Sequence, residues 1–460
     1  MLSPSLGQEF EGIVGAAHVR RDADSLAAYG TDALKIGHPA DLVILPGSAR
    51  EIAAIARLCH EMRVPLVVRG AGTGYTGGAV PTSGGVVLSV ERLNRILSID
   101  EENLLAVVEP AVITGDLQAA VEARGLFYPP DPQSLKESSI GGNVAECAGG
   151  PRAFKYGVTK RYVLALEAVL PTGEVIRTGS KAVKNVVGYD LTQLLVGSEG
   201  TLAIITEITL RLVPKPPAVT TLRACFRDVL SAVAAVTELL RRRVVPATLE
   251  LMDADSLQAV VDYVGQRLAP EGTGALLLLE VDGFADALDA EAARVDAACR
   301  VAGAIEVLRA ANEEERQALW RVRRETSYAL RTIAGLKMNN DVVVPRGRVP
   351  QLIALVERLR ATYRLRIPCF GHAGDGNIHV NIMVSPEDAD EVSRAKQAVG
   401  ELFAGVVALE GSISGEHGIG FSKAPYVGLE LSPEVIALSK RIKAAFDPHG
   451  ILNPGKIFPS

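Results

Sequence analysis

The sequence predicts an α+β protein built in two units, on three observations. Its 460 residues exceed what a single hydrophobic core organises. Its first half alternates helix patterns with short β-rich runs and glycine-rich turns, and Val213-Pro214-Lys215-Pro216-Pro217 then interrupts the chain where neither a helix nor a central strand can continue. Beyond that break, long amphipathic helices alternate with apolar strands, and no internal repeat relates the two halves.

Taken in order, Ser48 to Glu51 reads as a capping box, and Ile52, Ile55, Cys59 and Met62 follow at helical spacing. Pro65 ends that helix, and Leu66-Val67-Val68 reads as the strand it feeds. A second helix fits Thr114 to Arg124, stopped by Gly125; strands fit Tyr162 to Leu170 and Val175 to Thr178, joined by the turn Pro171-Thr172-Gly173. After the proline break, helix patterns cover Val229 to Arg243, Asp286 to Ala302, Asn312 to Leu330, Pro350 to Tyr363 and Pro386 to Leu409. Ala275 to Val281 and His379 to Val384 read as strands.

Several function classes are disfavoured at once. A formal net charge of -6 and the lack of any long basic run argue against nucleic acid as a partner. The five cysteines, Cys59, Cys147, Cys225, Cys299 and Cys369, are scattered and form no C-x-x-C pair, which argues against a disulfide framework or an iron–sulfur site. The first residues lack a basic start followed by an apolar core, and no apolar run reaches the ~18 residues of a spanning helix. A cytoplasmic protein is expected, peripheral to a membrane only through a partner.

Residues 65 to 80, PLVVRGAGTGYTGGAV, contain Gly72, Gly74 and Gly77 in a G-x-G-x-x-G pattern just after a strand. The dinucleotide fingerprint requires a helix at the third glycine, whereas this loop runs through Gly78, Pro81, Ser83, Gly84 and Gly85 into another strand, Val86 to Val90. The nicotinamide reading therefore fails on context. Successive glycines can still expose backbone N–H groups to a diphosphate; the same residues would also make a ligand-free turn. Two further loops, SSIGGNVAECAGG at 138–150 and KNVVGYDLTQLLVGSEGTLAIIT at 184–206, suit one long ligand threaded through backbone contacts.

RGAGTG, SSIGGNVAECAGG, KYGVT, VGSEGTL, GHAGDGNIH, SGEHGIG and FDPHGILNPGK together resemble, in order along nearly the whole chain, the FAD-linked oxidases of the vanillyl-alcohol oxidase superfamily. The nearest branch is that of D-lactate dehydrogenase, D-2-hydroxyglutarate dehydrogenase and the glycolate oxidase catalytic subunit. The resemblance implies a two-subdomain FAD-binding domain of the vanillyl-alcohol oxidase, or PCMH, type followed by an α+β cap domain. The expected limits are 1–215 for the FAD domain, with its core at about 38–215, then 216–440 for the substrate or cap domain and 441–460 for a segment returning to the flavin. It places the diphosphate on Arg69, Gly70, Ala71, Gly72, Thr73, Gly74 and Gly77. Further flavin contacts fall on Pro132, Ser139, Gly141, Gly142, Asn143, Gly149, Gly157, Glu199, Gly200, Ile204 and Asn453. Relatives that tether FAD use a histidine in the first loop; Thr73 and Tyr75 stand there, and no histidine lies between His60 and His372, so FAD is expected to be non-covalent.

Three of the seven histidines sit in two glycine-rich segments, His372 and His379 in GHAGDGNIHVNI and His417 in SGEHGIG. On one straight strand His372 and His379 would face opposite ways, so convergence requires the segment to fold back. Two imidazoles and a carboxylate suit zinc or manganese with open positions, although buried histidines bonded to backbone fit the same pattern. The resemblance implies that His372, His379 and Glu416 are metal ligands, that His417 is the base, that Asp375 orders the loop and that Asn377 donates to substrate. A substrate carboxylate calls for a guanidinium fork, and Trp320-Arg321-Val322-Arg323-Arg324-Glu325 matches; Arg323 is the choice, with Arg324 the alternative. Asn339 stands where the 2-hydroxyglutarate enzymes hold a lysine, with Lys337 nearby, which favours a monocarboxylate.

The function so implied is oxidation of a small D-2-hydroxy acid, D-lactate- or glycolate-like, to the 2-oxo acid, by metal-assisted proton abstraction and hydride transfer to flavin N5. The alternatives are a same-fold alcohol oxidase or alkyl-transferring flavoenzyme, or a non-catalytic flavin subunit of a multisubunit oxidase. Electrons would leave to a separate acceptor, namely a quinone-linked subunit, a cytochrome or an electron-transfer flavoprotein. A homodimer is compatible with the sequence.

Overall fold

The computed structural model describes residues 3–267 and 269–459; Met1 and Ser460, the outer limits of the expected domains, lie outside them. The chain forms two compact units. The first comprises 1–149, 158–215 and 416–460, and the second 150–157 and 216–415. The change at Lys215–Pro216 falls at the proline break. The return to the first unit begins at Glu416, where the sequence alone placed it at 441.

In the first unit a four-stranded sheet has the order Val19–Arg20, Leu42–Ile44, Val86–Ser89, Leu66–Arg69, with its last three strands parallel. The helix Ala49–Met62 packs on it. Ser48 caps that helix by accepting from Glu51 N, as the sequence predicts, while Glu51 Oε2 reaches back to accept from Gly47 N, one residue before the cap, where a capping box would use the cap's own amide. Ile52, Ile55 and Cys59 bury their side chains against Leu42, Ile44, Leu66 and Leu88. Each such aliphatic contributes about 1.5–3 kcal/mol. An antiparallel five-stranded sheet follows, in the order Ile96–Asp100, Leu105–Val108, Ile204–Arg211, Val163–Val169, Val175–Gly179.

The C-terminal segment re-enters this core. Ile451 and Leu452 are buried in it, and Leu66 N and Leu66 O bond to Ile451 O and Asn453 N at 2.8 Å each. Asp447 sets the preceding turn by accepting from the amides of Ile451 and Leu452.

The second unit is a seven-stranded antiparallel sheet ordered Glu306–Arg309, Ala218–Phe226, Ala275–Gly283, Thr248–Asp253, Cys369–His372, Asn377–Val384, Leu336–Val343. The helices Val229–Arg241, Ala285–Val301, Glu313–Arg331, Val349–Tyr363 and Ala389–Ala408 form where their periodicity predicts, within a few residues. Asn312 caps Glu313–Arg331, and three glutamates in its first turn complement the helix dipole. Leu319, Val322, Ala329 and Leu330 of that helix pack on Met252, Leu278 and Phe370. Thr248–Asp253 and Leu336–Val343 were not predicted as strands. Their polar residues, TLELMD and LKMNNDVV, hide the β pattern because several of them face inward on the sheet.

Candidate active site

Within the first unit, the two glycine loops nearest the N-terminus lie against each other. A Cβ added at Gly70 would stand 2.6 Å from Ser139 Oγ, and one at Gly72, where φ is +71°, would overlap the Arg69 guanidinium. Ser139 Oγ accepts from Gly142 N at 3.3 Å. Arg69 Nη1 donates to Thr31 O at 2.5 Å, and Asp32, not singled out by the sequence, accepts from the amides of Leu34 and Gly77. Burial raises the Asp32 carboxyl above its ordinary range and lowers Arg69. Gly200 brings the third loop in: its Cβ position is 3.8 Å from Val68 and 3.9 Å from Asn453 Nδ2. Asn453 is buried and donates to Gly78 O and Glu199 O at 2.8 and 2.7 Å.

Other expected flavin positions have different surroundings. The Asn143 amide donates to Thr114 Oγ1, Ile204 buries its side chain in the core, and Pro132 O accepts from Leu135 N, so any ligand contact there is through backbone or ring. Gly149 is closely covered, with its Cβ position 2.5 Å from Glu416 Oε2. Gly157 belongs to the second unit.

The EHGIG segment also belongs to the first unit and is fastened by Glu199, whose two carboxylate oxygens accept from the amides of Ile419 and Gly420 at 2.7 Å each. Burial raises the Glu199 carboxyl, and those two amides oppose the shift. The His417 ring stacks on Tyr75 of the first glycine loop, with centroids 5.4 Å apart, and Thr76 Oγ1 donates to His417 O. His417 Nε2 is 3.9 Å from Glu416 Oε1.

Within the second unit, Cys369–His372 and Asn377–Val384 fold back through a tight turn closed by Gly376, at φ +79°. The register places Glu250, His372 and Asn377 in one cross-strand row and Met252, Phe370, His379 and Asp341 two residues along. Because side chains alternate with a period of two, both rows share one face of the sheet. The rings of His372 and His379 meet edge to face with centroids 5.4 Å apart, both buried.

Glu250 organises this face. One oxygen lies 2.5 Å from His372 Nδ1, and the other accepts from Arg323 Nε at 2.6 Å. Burial alone would raise the Glu250 carboxyl, but the neighbouring His372 and Arg323 outweigh it and bring it to about 2. A carboxylate that accepts from Nδ1 leaves the ring's lone pair on Nε2, the arrangement that supports a metal-ligating histidine.

Asp341 Oδ1 lies 3.5 Å from His379 Nδ1, and the carboxylate accepts from the Asn377 amide and from Gly415 N. Asn377 Nδ2 donates to Val342 O as well. Arg323 is 3% exposed, with its guanidinium 4.7 Å over the Phe370 ring, whereas Arg321 and Arg324 are exposed. Asn339 and Lys337 continue the face along the edge strand. Burial, with Arg331 and Arg323 behind it, takes Lys337 down to about 8. Asp375 N bonds to His372 O within the turn.

Comparison with known proteins decides the family. The model of the C-terminal domain of FAD linked oxidases matches residues 215–457, and an FAD binding domain model matches 40–179. The chain is 46% identical over 418 residues to the glycolate oxidase subunit GlcD of Bacillus subtilis (strain 168), covering 91% of this chain and 89% of that one. The chain belongs to the FAD-linked oxidase family.

Other relatives of this FAD-linked oxidase are the GlcD subunit of Escherichia coli (strain K12), 38% identical and covering 95% and 86% of the two chains, and a D-lactate dehydrogenase of Anaerostipes hadrus, 37% identical and covering 94% and 91%. Among solved structures, p-cresol methylhydroxylase with substrate bound superposes with a TM-score of 0.83 at 20% identity over 98% and 96% of the chains. Alkyldihydroxyacetonephosphate synthase follows with a TM-score of 0.79 at 18% over 99% and 85%. These likenesses establish the fold, a PCMH-type FAD-binding domain with an α+β cap. The enzyme is an FAD-linked oxidoreductase. The glycine loops fit FAD in kind: no side chain could stand at Gly70 or Gly72 without meeting Ser139 or Arg69, so what these loops offer a diphosphate is backbone N–H groups. Among the described residues, no helix is long and apolar enough to cross a membrane.

Proposed function

We propose that this FAD-linked oxidase converts a small D-2-hydroxy acid, of the glycolate or D-lactate kind, to its 2-oxo acid. The observation that carries the reading is the sheet face of the second unit, where Glu250 couples a buried histidine to a buried arginine beside a second histidine. A 2-hydroxy carboxylate suits such a combination, a Lewis-acid site for the hydroxyl and a guanidinium for the carboxylate. The names of the relatives, glycolate oxidase subunits and a D-lactate dehydrogenase, support the same substrate class.

In this reading His372, His379 and Glu416 hold a divalent cation, zinc or manganese. Two imidazoles and a carboxylate suit either ion, and Asp341 is placed to orient His379. A cation held there would supply Lewis acidity toward the substrate hydroxyl, and FAD held by the glycine loops without a covalent tether would supply a two-electron hydride acceptor. His417 removes the hydroxyl proton, and its stacking on Tyr75 fixes the ring's orientation. Arg323, held by Glu250 through Nε, engages the substrate carboxylate. Asn377, whose amide hydrogens go to Asp341 and Val342 O, serves as a positioning residue. The FAD domain takes 1–215 and the C-terminal segment, and the cap takes the residues between. Two relatives are named as subunits, which supports a separate electron acceptor for the two electrons.

Steady-state oxidation of glycolate, both lactate enantiomers, D-2-hydroxyglutarate and an aryl alcohol by the FAD-loaded enzyme, with an artificial acceptor, tests the reading. D-lactate or glycolate should exceed the aryl alcohol in kcat/KM by at least about 100-fold, the value of one desolvated carboxylate–arginine pair. Equal turnover of the aryl alcohol, or preference for L-lactate, would contradict it.

A further inference from the structure

A group of neighbouring ionisable side chains in the first unit comprises the buried Asp32, Glu199, Lys423 and Lys456 and the half-buried Glu146. Most of its members have visible work. Asp32 accepts from the amides of Leu34 and Gly77, and Glu199 accepts from those of Ile419 and Gly420. Lys456 donates to Val80 O and Asn453 Oδ1.

Glu146 differs. It closes the helix Ile140–Glu146 in the second glycine loop and is half-buried, while its Oε2 is shielded from solvent and meets no hydrogen-bond partner. Two glycines make room for it. A Cβ at Gly78 of the first loop would stand 2.8 Å from Oε1, and a Cβ at Gly418 would overlap Oε2. Shielded polar oxygens are rarely left without a partner in a native protein, and a ligand commonly supplies one. The surroundings here are the glycine loops, Glu199 and Asn453, which form the cradle that fits FAD.

We infer that Glu146 is a neutral carboxylic acid that donates a hydrogen bond to the isoalloxazine of FAD and thereby raises the flavin's midpoint potential. Burial favours the neutral form, the nearby Glu199 and Asp32 carboxylates add to it, and Lys423 opposes it; together they hold the Glu146 pKa well above the carboxylate range. The ring system offers carbonyl and nitrogen acceptors, and it carries extra negative charge when reduced. A neutral donor stabilises that charge, whereas an ionised glutamate at the same place would repel it. The inference rests on FAD binding and is independent of which acid is oxidised.

Glu146→Gln and Glu146→Leu, each purified and loaded with FAD, provide the test by spectroelectrochemical titration and by fluorescence titration of apoprotein with FAD. Glutamine keeps a donor, so its potential and FAD affinity should stay close to the parent's. Leucine should lower the potential and weaken FAD binding about tenfold, the effect of one lost hydrogen bond. A rise in potential in Glu146→Gln would show that a negative charge had been removed and would overturn the inference. So would parental values in both variants. Should Glu146→Leu fail to fold, infrared difference spectra of flavin reduction decide. A protonated-carboxyl band that shifts on reduction and vanishes in Glu146→Gln supports the assignment, and its absence from the parent refutes it.

Discussion

At the scale of single residues, Glu250 connects the chemistry of the second unit, since its two oxygens hold His372 and Arg323 at 2.5 and 2.6 Å. Removing its charge should loosen both. Glu250→Gln is expected to weaken metal affinity about 10- to 100-fold, as loss of a carboxylate behind a metal-bound histidine does. A competitive chelator titration reads that change. Arg323→Lys preserves the charge but not the fork, so kcat/KM should fall about 100-fold with FAD content unchanged. Neither Glu250 nor Asp341 was legible in the sequence. An acidic residue inside a short strand carries no motif, and its role appears only once the register sets it opposite His372 or His379. His372, His379 and Arg323 could be singled out as candidates in the sequence, the histidines because they cluster in a glycine-rich segment and the arginine because its segment matches the guanidinium fork that a carboxylate calls for. Asp32 was missed because it sits in no recognisable pattern, whereas Glu146 lies within the loop SSIGGNVAECAGG, whose glycines drew the reading to backbone contacts and away from its carboxyl.

At the scale of elements, the hairpin from Cys369 to Val384 depends on its turn. A side chain at Gly376, where φ is +79°, would run into Val344 O, so Gly376→Ala should cost about 2 kcal/mol or more and separate the two histidine rows. Thermal unfolding of the apoprotein measures the cost. The edge strand Leu336–Val343 carries part of the pH dependence through Lys337, and Lys456 of the first unit, likewise brought down to about 8 by burial, carries another part. Lys337 titrates near 8 in the folded chain against 10.5 when unfolded, so between those values the unfolded state binds the extra proton and stability rises with pH. The shift accounts for up to roughly 3 kcal/mol across that window. Lys337→Met should be more stable than the parent at pH 7 and should reduce the slope between pH 8 and 10.5 in urea unfolding, the remainder coming from Lys456. The amphipathic helices and apolar strands were readable because periodicity reports burial. Thr248–Asp253 and Leu336–Val343 were not, because site-facing strands hold polar residues where the pattern requires apolar ones.

At the scale of the whole molecule, the two-unit division was legible from the proline break. The re-entry of the chain at Glu416 was not, because GEHGIG has no periodicity and is held by long-range bonds from Glu199. The first unit gathers its cofactor loops from stretches far apart in sequence, so FAD should stabilise it as a body. At a hundredfold excess over the dissociation constant, the gain is about 2.7 kcal/mol. Differential scanning calorimetry with and without FAD should show the corresponding rise in midpoint. The central claim, a metal-assisted oxidation of a 2-hydroxy acid on an FAD-linked scaffold, is tested most directly by one anaerobic experiment. The visible spectrum of the FAD-loaded enzyme is recorded after D-lactate or glycolate is added, before chelation, after chelation, and after zinc or manganese is restored. The account predicts bleaching of the flavin band, its loss with chelator and its return with metal. Bleaching that survives complete metal removal would contradict it, as would a flavin that neither acid reduces in metal-replete enzyme.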